Sequence, residues 1–376
     1  MNSKRVKKRK TTPRVARPSR ASSSVDSVIR AVDALRRGKP VIVREGRTKR
    51  LAFAVETLAP GSLRSLRHAG RTLHLVLTHA RAETLKIRLY TPKVVTLDIR
   101  PGMTVENLKA IADPTNDLDF PMKGPFEALR AKLGALPAAS VALAKLAGLL
   151  PATVLSDATD VSHGIEISAD NIDAYDSEVA RTLKLVTRAR VPLEGAEVTE
   201  LVAFRPSDGG PEHYAVVIGS PLPHNPVLLR LHSECFTGDL LGSLKCDCGS
   251  QLRGAVDAIA KSGSGIILYL AQEGRGIGLI NKLRAYRLQD QGFDTIVANE
   301  RLGFEAEERS YGIAARMLSL LGFKSVRLMT NNPEKVRGLE EHGIKVVERV
   351  PHAFPDNPHN REYLRTKVDK AGHLIS

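Results

Sequence analysis

Apolar positions along the chain fall into two successive sets of short runs. In the first set, Val28, Ile29, Val32 and Leu35 repeat at helical spacing within Asp26–Arg37, and Gly38 and Pro40 supply the stop. Val41–Val43, Leu51–Glu56 and Thr72–Thr78 read as strands, Ala139–Leu149 as an apolar helix ended by Pro151, and Ala152–Ser156 as a further buried strand. The second set begins near residue 184. Tyr214–Ile218, Val227–Leu231, Ile266–Leu270, Val326–Thr330 and Lys345–Val350 are its strand candidates. Gln251–Ala260 places Leu252, Ala255, Val256 and Ile259 on one helical face, and Leu279–Gln289 and Glu308–Leu321 also have helical patterns. Asn332 and Pro333 mark a further helix start as N-cap and first-turn proline, with Gly343 after its end. Such alternation predicts an α/β (mixed α+β) chain of two domains, each a mixed sheet covered by helices. The expected boundaries are a disordered basic tail over 1–25, a first domain over 26–183 and a second over 184–376. No internal repeat is found.

Composition changes this picture in one place. The net charge is +15 over 376 residues, but residues 1–25 hold nine Lys or Arg and no acid, and removing those nine leaves +6. The asymmetry belongs to the tail, which is rich in Ser, holds two Pro and has too little apolar matter to repay the entropy of ordering. Weak attraction to nucleic acid is open to such an arm, because Lys/Arg runs draw phosphates without reading sequence. An organelle transit segment is less well matched, since the Lys run is not amphipathic. No apolar run approaches the roughly 18 uncharged residues of a membrane span, and the N-terminus lacks a secretory apolar stretch. A protein of the cytoplasm, with no membrane partner, is the expectation.

The three cysteines of the chain all lie between 235 and 248. Cys235-x10-Cys246-x-Cys248 directly follows the strand candidate Val227–Leu231. Thiolates favour Zn²⁺, which is usually four-coordinate, so three of them leave one position for water whose pKa the ion lowers. A closed structural site with His232 as fourth ligand is the alternative, and spacing alone does not separate the two.

Three further stretches carry chemistry. Glu273-Gly274-Arg275-Gly276-Ile277-Gly278 lies between a strand and a helix, where glycines let the backbone approach a ligand and helix N–H groups attract phosphate. Arg275 adds a bidentate anion contact. The third Gly arrives one residue too early for a dinucleotide fingerprint, and a plain tight turn is the competing reading. Thr330-Asn331-Asn332-Pro333-Glu334-Lys335 is another strand–loop–helix junction, an anion site or merely a capped turn. In Leu302–Arg309, residues two apart share one side only of an extended segment, so Glu307 and Arg309 can serve one site only if the stretch is not helical. The competing reading is a charged first helical turn.

Together these pieces resemble the GTP cyclohydrolase II family, which performs the first committed step of riboflavin synthesis. The likeness runs from about Val186 to Ile375 through RLHSECFTGDLLGSLKCDCGSQL, QEGRGIGLINKLRAYRLQDQG, LGFEAEERSYG, LMTNNPEKVRGLEEHGI and YLRTKVDKAGHL. The resemblance implies one catalytic zinc per chain on Cys235, Cys246 and Cys248. It implies GTP contacts at Arg230, Leu231, His232, Ser233, Glu234, Gln251, Glu273, Gly274, Arg275, Thr295, Thr330 and Lys335, with Mg²⁺ on the phosphates. Arg309 matches the nucleophile at the α-phosphorus, Glu307 the proton acceptor, and Tyr286 a tyrosine associated with release of the ring carbon as formate. The implied products are 2,5-diamino-6-ribosylamino-4(3H)-pyrimidinone 5′-phosphate, formate and pyrophosphate, and the implied assembly is a homodimer. Two positions depart from the family: Glu307 stands where Asp is usual, and Ala271 where Arg usually precedes QEGR.

HAGRTLHLVLT, NLKAIADP and LAKLAGLLPATVLSD resemble 3,4-dihydroxy-2-butanone 4-phosphate synthase, which is often fused ahead of GTP cyclohydrolase II. That family's clustered acids, which hold Mg²⁺, are replaced here by VIVREGRTKRLAFAVE, in which Glu45 stands among basic residues. A degenerate synthase domain is expected. The competing functions are a GTP-binding regulator or partial catalyst without full turnover, and a zinc-stabilised nucleic-acid-binding protein. Low aromatic content (4%, no Trp) leaves little stacking surface and makes nucleic acid the weaker choice.

Overall fold

The computed structural model describes residues 20–131, 133–158, 164–370, 372 and 374, with residues 20–23 described by backbone alone. Most of the tail and parts of the terminal YLRTKVDKAGHL segment lie outside the described residues.

The first sheet is built from β1 (Val41–Glu45), β2 (Thr48–Ala54), β3 (Leu73–Thr78), β4 (Val94–Asp98), β5 (Ala152–Asp157) and β6 (Ile165–Ser168), in the order β4-β3-β5-β2-β1-β6. All its pairings are antiparallel except β1 with β6. Around it lie α1 (Arg20–Arg36), α2 (Pro60–His68), α3 (His79–Thr84), α4 (Val105–Ala112), α5 (Leu136–Leu146), α6 (Ala169–Asp173) and α7 (Tyr175–Thr182). Helix α1 begins at Arg20, six residues before the expected start, so residues 20–25 are helical rather than part of an unstructured tail. The expected helix Ala139–Leu149 begins earlier, at Leu136, with Pro137 in its first turn, where a missing N–H costs nothing.

The second sheet comprises β7 (Lys184–Arg190), β8 (Thr199–Arg205), β9 (His213–Ile218), β10 (Val227–Ser233), β11 (Gly265–Leu270), β12 (Ser325–Met329) and β13 (Lys345–Val350), in the order β13-β12-β10-β11-β9-β8-β7. Strands β13, β12, β10 and β11 run parallel, and β9, β8 and β7 add antiparallel. Its helices are α8 (Cys248–Lys261), α9 (Gly278–Asp290), α10 (Thr295–Arg301), α11 (Gly312–Leu321), α12 (Pro333–Glu340) and α13 (Arg361–Asp369). The central strands read as unbroken apolar runs because both faces are covered; β10 is buried from Val227 to His232. Helix α12 starts as expected, with Pro333 in its first turn and the Asn332 side chain accepting from Glu334 N at 3.0 Å. Helix α11 starts at Gly312, four residues later than the apolar pattern suggested, which leaves 304–311 non-helical.

The sheets divide near residue 183, but the packing does not. Leu288, Ala298, Leu302 and Phe304 share a core with Leu75, Leu77 and Val154 of the first sheet. Asn281, Ala285 and Leu288 form the buried stripe of α9, at the i, i+4, i+7 spacing of one helical face. On that side Arg284 pairs with Glu56 at 2.9 Å, and Asn281 donates to Gly148 O at 3.2 Å. Helix α9 therefore lies between the first sheet and the cavity described next. Among the described residues, no helix is long and apolar enough to cross a membrane.

Candidate active site

Strand β10 delivers its C-terminal end into a loop that carries Cys235, and the N-terminus of α8 carries Cys246 and Cys248. The three Sγ atoms lie within 4.8 Å of one another, and those of Cys235 and Cys246 are 3.8 Å apart. Tetrahedral zinc at a Zn–S distance of about 2.3 Å needs sulfurs about 3.8 Å apart. Thiolate donors at that spacing fit zinc. Gly238 lies beneath them: a Cβ there would stand 2.7 Å from Cys246 Sγ and 3.0 Å from Cys235 Sγ. Lys282 of α9 donates to Cys235 Sγ at 3.0 Å and to Glu273 at 2.8 Å. Hydrogen bonds from the other two thiols, then from Lys282, hold Cys235 far below the ordinary thiol range against burial. Cys246 and Cys248 are raised, first by their hydrogen bonding to Cys235.

His232 is not placed as a fourth ligand. Its Nε2 meets Asp239 at 3.0 Å, its ring stacks on Tyr269, and among the described residues the metal-binding group contains the three cysteines alone. Asp239 also accepts from Cys235 N and Tyr269 O–H, each at 3.0 Å, and so ties the cysteine loop to the ends of β10 and β11.

The thiols open onto a cavity at the carboxyl ends of the parallel strands, where loops leave a crevice. It is lined by most of the residues singled out in the sequence: Arg230, His232, Ser233, Glu234, Gln251, Glu273, Gly274, Arg275, Tyr286, Thr295, Arg309, Thr330 and Lys335 join the cysteines. Leu231 and Glu307 do not line it. Leu231 contributes its carbonyl, which accepts from Lys335 Nζ at 2.8 Å. Burial, then Arg230 and Arg309, push the Lys335 ammonium well below the lysine range. Arg230 is buried, donates to Met329 O at 2.9 Å and to Gln251, and burial lowers it to about 10.

Gly274 and Arg275 both adopt left-handed backbone conformations at φ 63°, and the Gly274 N–H donates to Glu273 Oε1 at 2.9 Å. Gly276 must be glycine: a Cβ would stand 2.7 Å from Glu308 O. That close approach brings the turn against the extended stretch 304–311. There Glu307 and Arg309 do fall on one side. Arg309 Nε donates to Glu307 Oε1 at 2.5 Å, and Nη2 donates to Oε2. Burial opposes both charges, but the pairing prevails: Glu307 is lowered and Arg309 raised. Tyr286 O–H meets Thr237 Oγ1 at 3.3 Å, and burial raises it to about 12. Ala271 offers its N–H to His213 Nδ1 at 3.1 Å.

Several lining residues were not anticipated: Lys245, Lys282, Asn299, His352, Tyr363 and Lys367. One signal was available for Lys282. It lies four residues before Tyr286, on the same face of α9. Nothing local marks Tyr363 and Lys367, which reach the cavity from the end of the chain.

Residues 184–351 match the family described as GTP cyclohydrolase II. A GTP cyclohydrolase-2 from Azospirillum brasilense is 50% identical over 94% of this chain and 95% of its own length. A riboflavin biosynthesis protein RibBA from Cytophaga hutchinsonii is 35% identical over 93% and 98% respectively. A GTP cyclohydrolase-2 from Pseudomonas putida is 55% identical over 50% of this chain and 92% of its own length. A solved two-domain 3,4-dihydroxy-2-butanone 4-phosphate synthase from A. baumannii, RibBX, shares 16% identity at a TM-score of 0.32, covering 86% of this chain and 99% of that one.

Proposed function

Because this chain belongs to the GTP cyclohydrolase II family, we propose that it hydrolyses GTP, with one zinc per chain, to 2,5-diamino-6-ribosylamino-4(3H)-pyrimidinone 5′-phosphate, formate and pyrophosphate. The observation that carries this reading is the convergence of three thiols onto a cavity lined with cationic side chains. Cys235, Cys246 and Cys248 would hold the ion, which when bound supplies an activated water for opening the guanine ring at carbon 8. Arg230, Arg275 and Lys245 offer charge to the triphosphate. Mg²⁺ on the phosphates would share that load.

Arg309 is assigned attack on the α-phosphorus, which expels pyrophosphate. Its guanidinium must lose a proton to do so, and Glu307, in contact through both oxygens, is the acceptor at hand. Glu307 reaches Arg309 from outside the cavity lining. Tyr286 is assigned a part in releasing the ring carbon as formate; its contact with Thr237 and its place in the cavity lining with the thiols support that assignment. A homodimer of the cytoplasm is part of the same reading.

The first domain is proposed to be catalytically degenerate. Glu45, the acid left near its first strand, accepts from Ala135 N at 2.8 Å, and a Cβ at Gly134 would stand 2.2 Å from its Oε2. That carboxylate braces a turn. Incubation with ribulose 5-phosphate and Mg²⁺ is expected to give no four-carbon phosphate; turnover at a normal rate would overturn the assignment.

The main reading is tested by incubating the protein with GTP and measuring formate and pyrophosphate. Stoichiometric release of both supports it. Binding of GTP without either product favours the regulator reading, for which the tight Glu307–Arg309 pair is the supporting observation.

A further inference from the structure

The matched family region ends at residue 351, yet the chain continues across the cavity. Residues 351–369 run over α8 and back as a strap with three anchors. His352 exchanges hydrogen bonds with the Asn331 side chain at 2.8 and 3.0 Å and donates through Nε2 to Gln251 O at 2.8 Å. The Phe354 ring occupies the place of a side chain at Gly254, where a Cβ would meet Cζ at 2.1 Å. Finally, α13 brings Lys367 to Asp247.

That last contact is unlike the surface ion pairs of the chain. Lys367 and Asp247 are both buried, at 7% and 6% exposure, and their charged atoms are 2.8 Å apart. The ammonium also lies 4.2 Å from the centre of the Tyr363 ring, one turn earlier on α13. Asp247 sits between Cys246 and Cys248 in sequence. Its other oxygen accepts from Gln251, which accepts in turn from Arg230, which donates to Met329 O. A continuous buried chain of hydrogen bonds thus runs from the C-terminal helix, through the loop that bears two thiols, to a cavity-lining arginine on the central strand.

We propose that Lys367 is a positioning residue: through Asp247 it fixes the Cys246–Cys248 loop and the Gln251–Arg230 pair, so that the C-terminal strap completes the zinc and nucleotide site. The physical reason is that a buried carboxylate stripped of its cation is costly, and the loop must open to hydrate it. The proposal rests on the zinc and GTP reading above for its effect on activity, but not for its effect on the loop.

The test uses full-length K367M, D247N, the double variant and K367R. The double variant leaves no unpaired buried charge and guards against loss of folding. In metal-free protein, amide hydrogen exchange over 244–251 is expected to accelerate at least tenfold in K367M while the β10 and β11 amides are unchanged. In zinc-loaded protein, chelator competition is expected to show a 10- to 100-fold loss of zinc affinity in K367M, the scale seen when groups behind metal ligands are removed. The double variant should be no weaker than the worse single one, and K367R should stay within threefold of wild type. Wild-type exchange and zinc affinity in K367M would overturn the proposal. Faster loop exchange in K367M, beside a wild type that neither binds zinc nor converts GTP, would uphold the strap and sink the functional reading instead.

Discussion

Gly238 offers the sharpest single perturbation of the thiol site. It lies in the one-turn π-helix Phe236–Leu240, and the Cβ of Gly238→Ala would meet Cys246 Sγ at 2.7 Å, Cys248 Cβ at 2.9 Å and Cys235 Sγ at 3.0 Å. Non-bonded heavy atoms settle at about 3.5–4.0 Å, so two sulfurs must each retreat by roughly 0.5–1 Å. Ligand distances tolerate only about 0.2 Å. Two of three ligands would be displaced beyond that tolerance, and a loss of about 100-fold in zinc affinity follows as the expected scale. The consequence for stability can be worked out. At a free zinc concentration about 1,000 times the wild-type Kd, zinc stabilises the wild-type fold by about 4.1 kcal/mol, whereas a 100-fold weaker site gains only about 1.4 kcal/mol. Denaturant unfolding with buffered zinc and with chelator measures both gains, and chelator competition gives the affinities. Gly238 is not in the left-handed region, so the substitution adds no backbone strain, but the same crowding is present without metal and is expected to cost the metal-free fold about 1–3 kcal/mol; the zinc-linked gain is therefore taken within each protein as the difference between zinc and chelator. Equal zinc-linked stabilisation in the two proteins would refute the steric reasoning.

Three further outcomes are expected. Glu307→Gln, which keeps the shape but cannot take the Arg309 proton, should lower kcat by about 100-fold or more with KM within threefold; an unchanged kcat would remove Glu307 from the proton path. Glu307→Asp should retain more activity than Glu307→Gln, since it shortens the reach but keeps the base, and steady-state kinetics decide the order. Burial lowers both His213 and His352 from 6.5 to about 4 in the folded protein. The unfolded chain therefore binds more protons between about pH 6.5 and pH 4, and stability, complete above 6.5, should fall as pH drops through that window. Denaturant unfolding should show a shallower fall in His213→Gln; an identical slope would show that His213 does not titrate in this way.

Much of the fold was legible because burial on both faces leaves long apolar runs. Strands β10, β11 and β12 and helices α8, α9 and α12 stand where the pattern put them. What escaped notice had a physical reason. Strand β7 is exposed along most of its length and is heavily basic, as suits a sheet edge, so it shows no apolar alternation. Helix α9 was found, but not that one face packs on the first sheet and the other faces the cavity, because Asn281 and Arg284 on the packed side look like solvent residues. The three thiols were visible from clustering alone. Lys367 was not, since its partner Asp247 is 120 residues away and only the fold brings them together. The stretch through Glu307 and Arg309 stayed open in the sequence between an extended segment and a charged first helical turn; it is non-helical and the two side chains pair, although Glu307 does not line the cavity.

The most direct test of the central claim is a zinc titration of metal-free protein, following GTP turnover against bound metal. Formate production should rise in proportion to zinc, level off at one ion per chain, and vanish again on chelation. Full turnover in metal-free protein, or a zinc-saturated chain that leaves GTP intact, would contradict it.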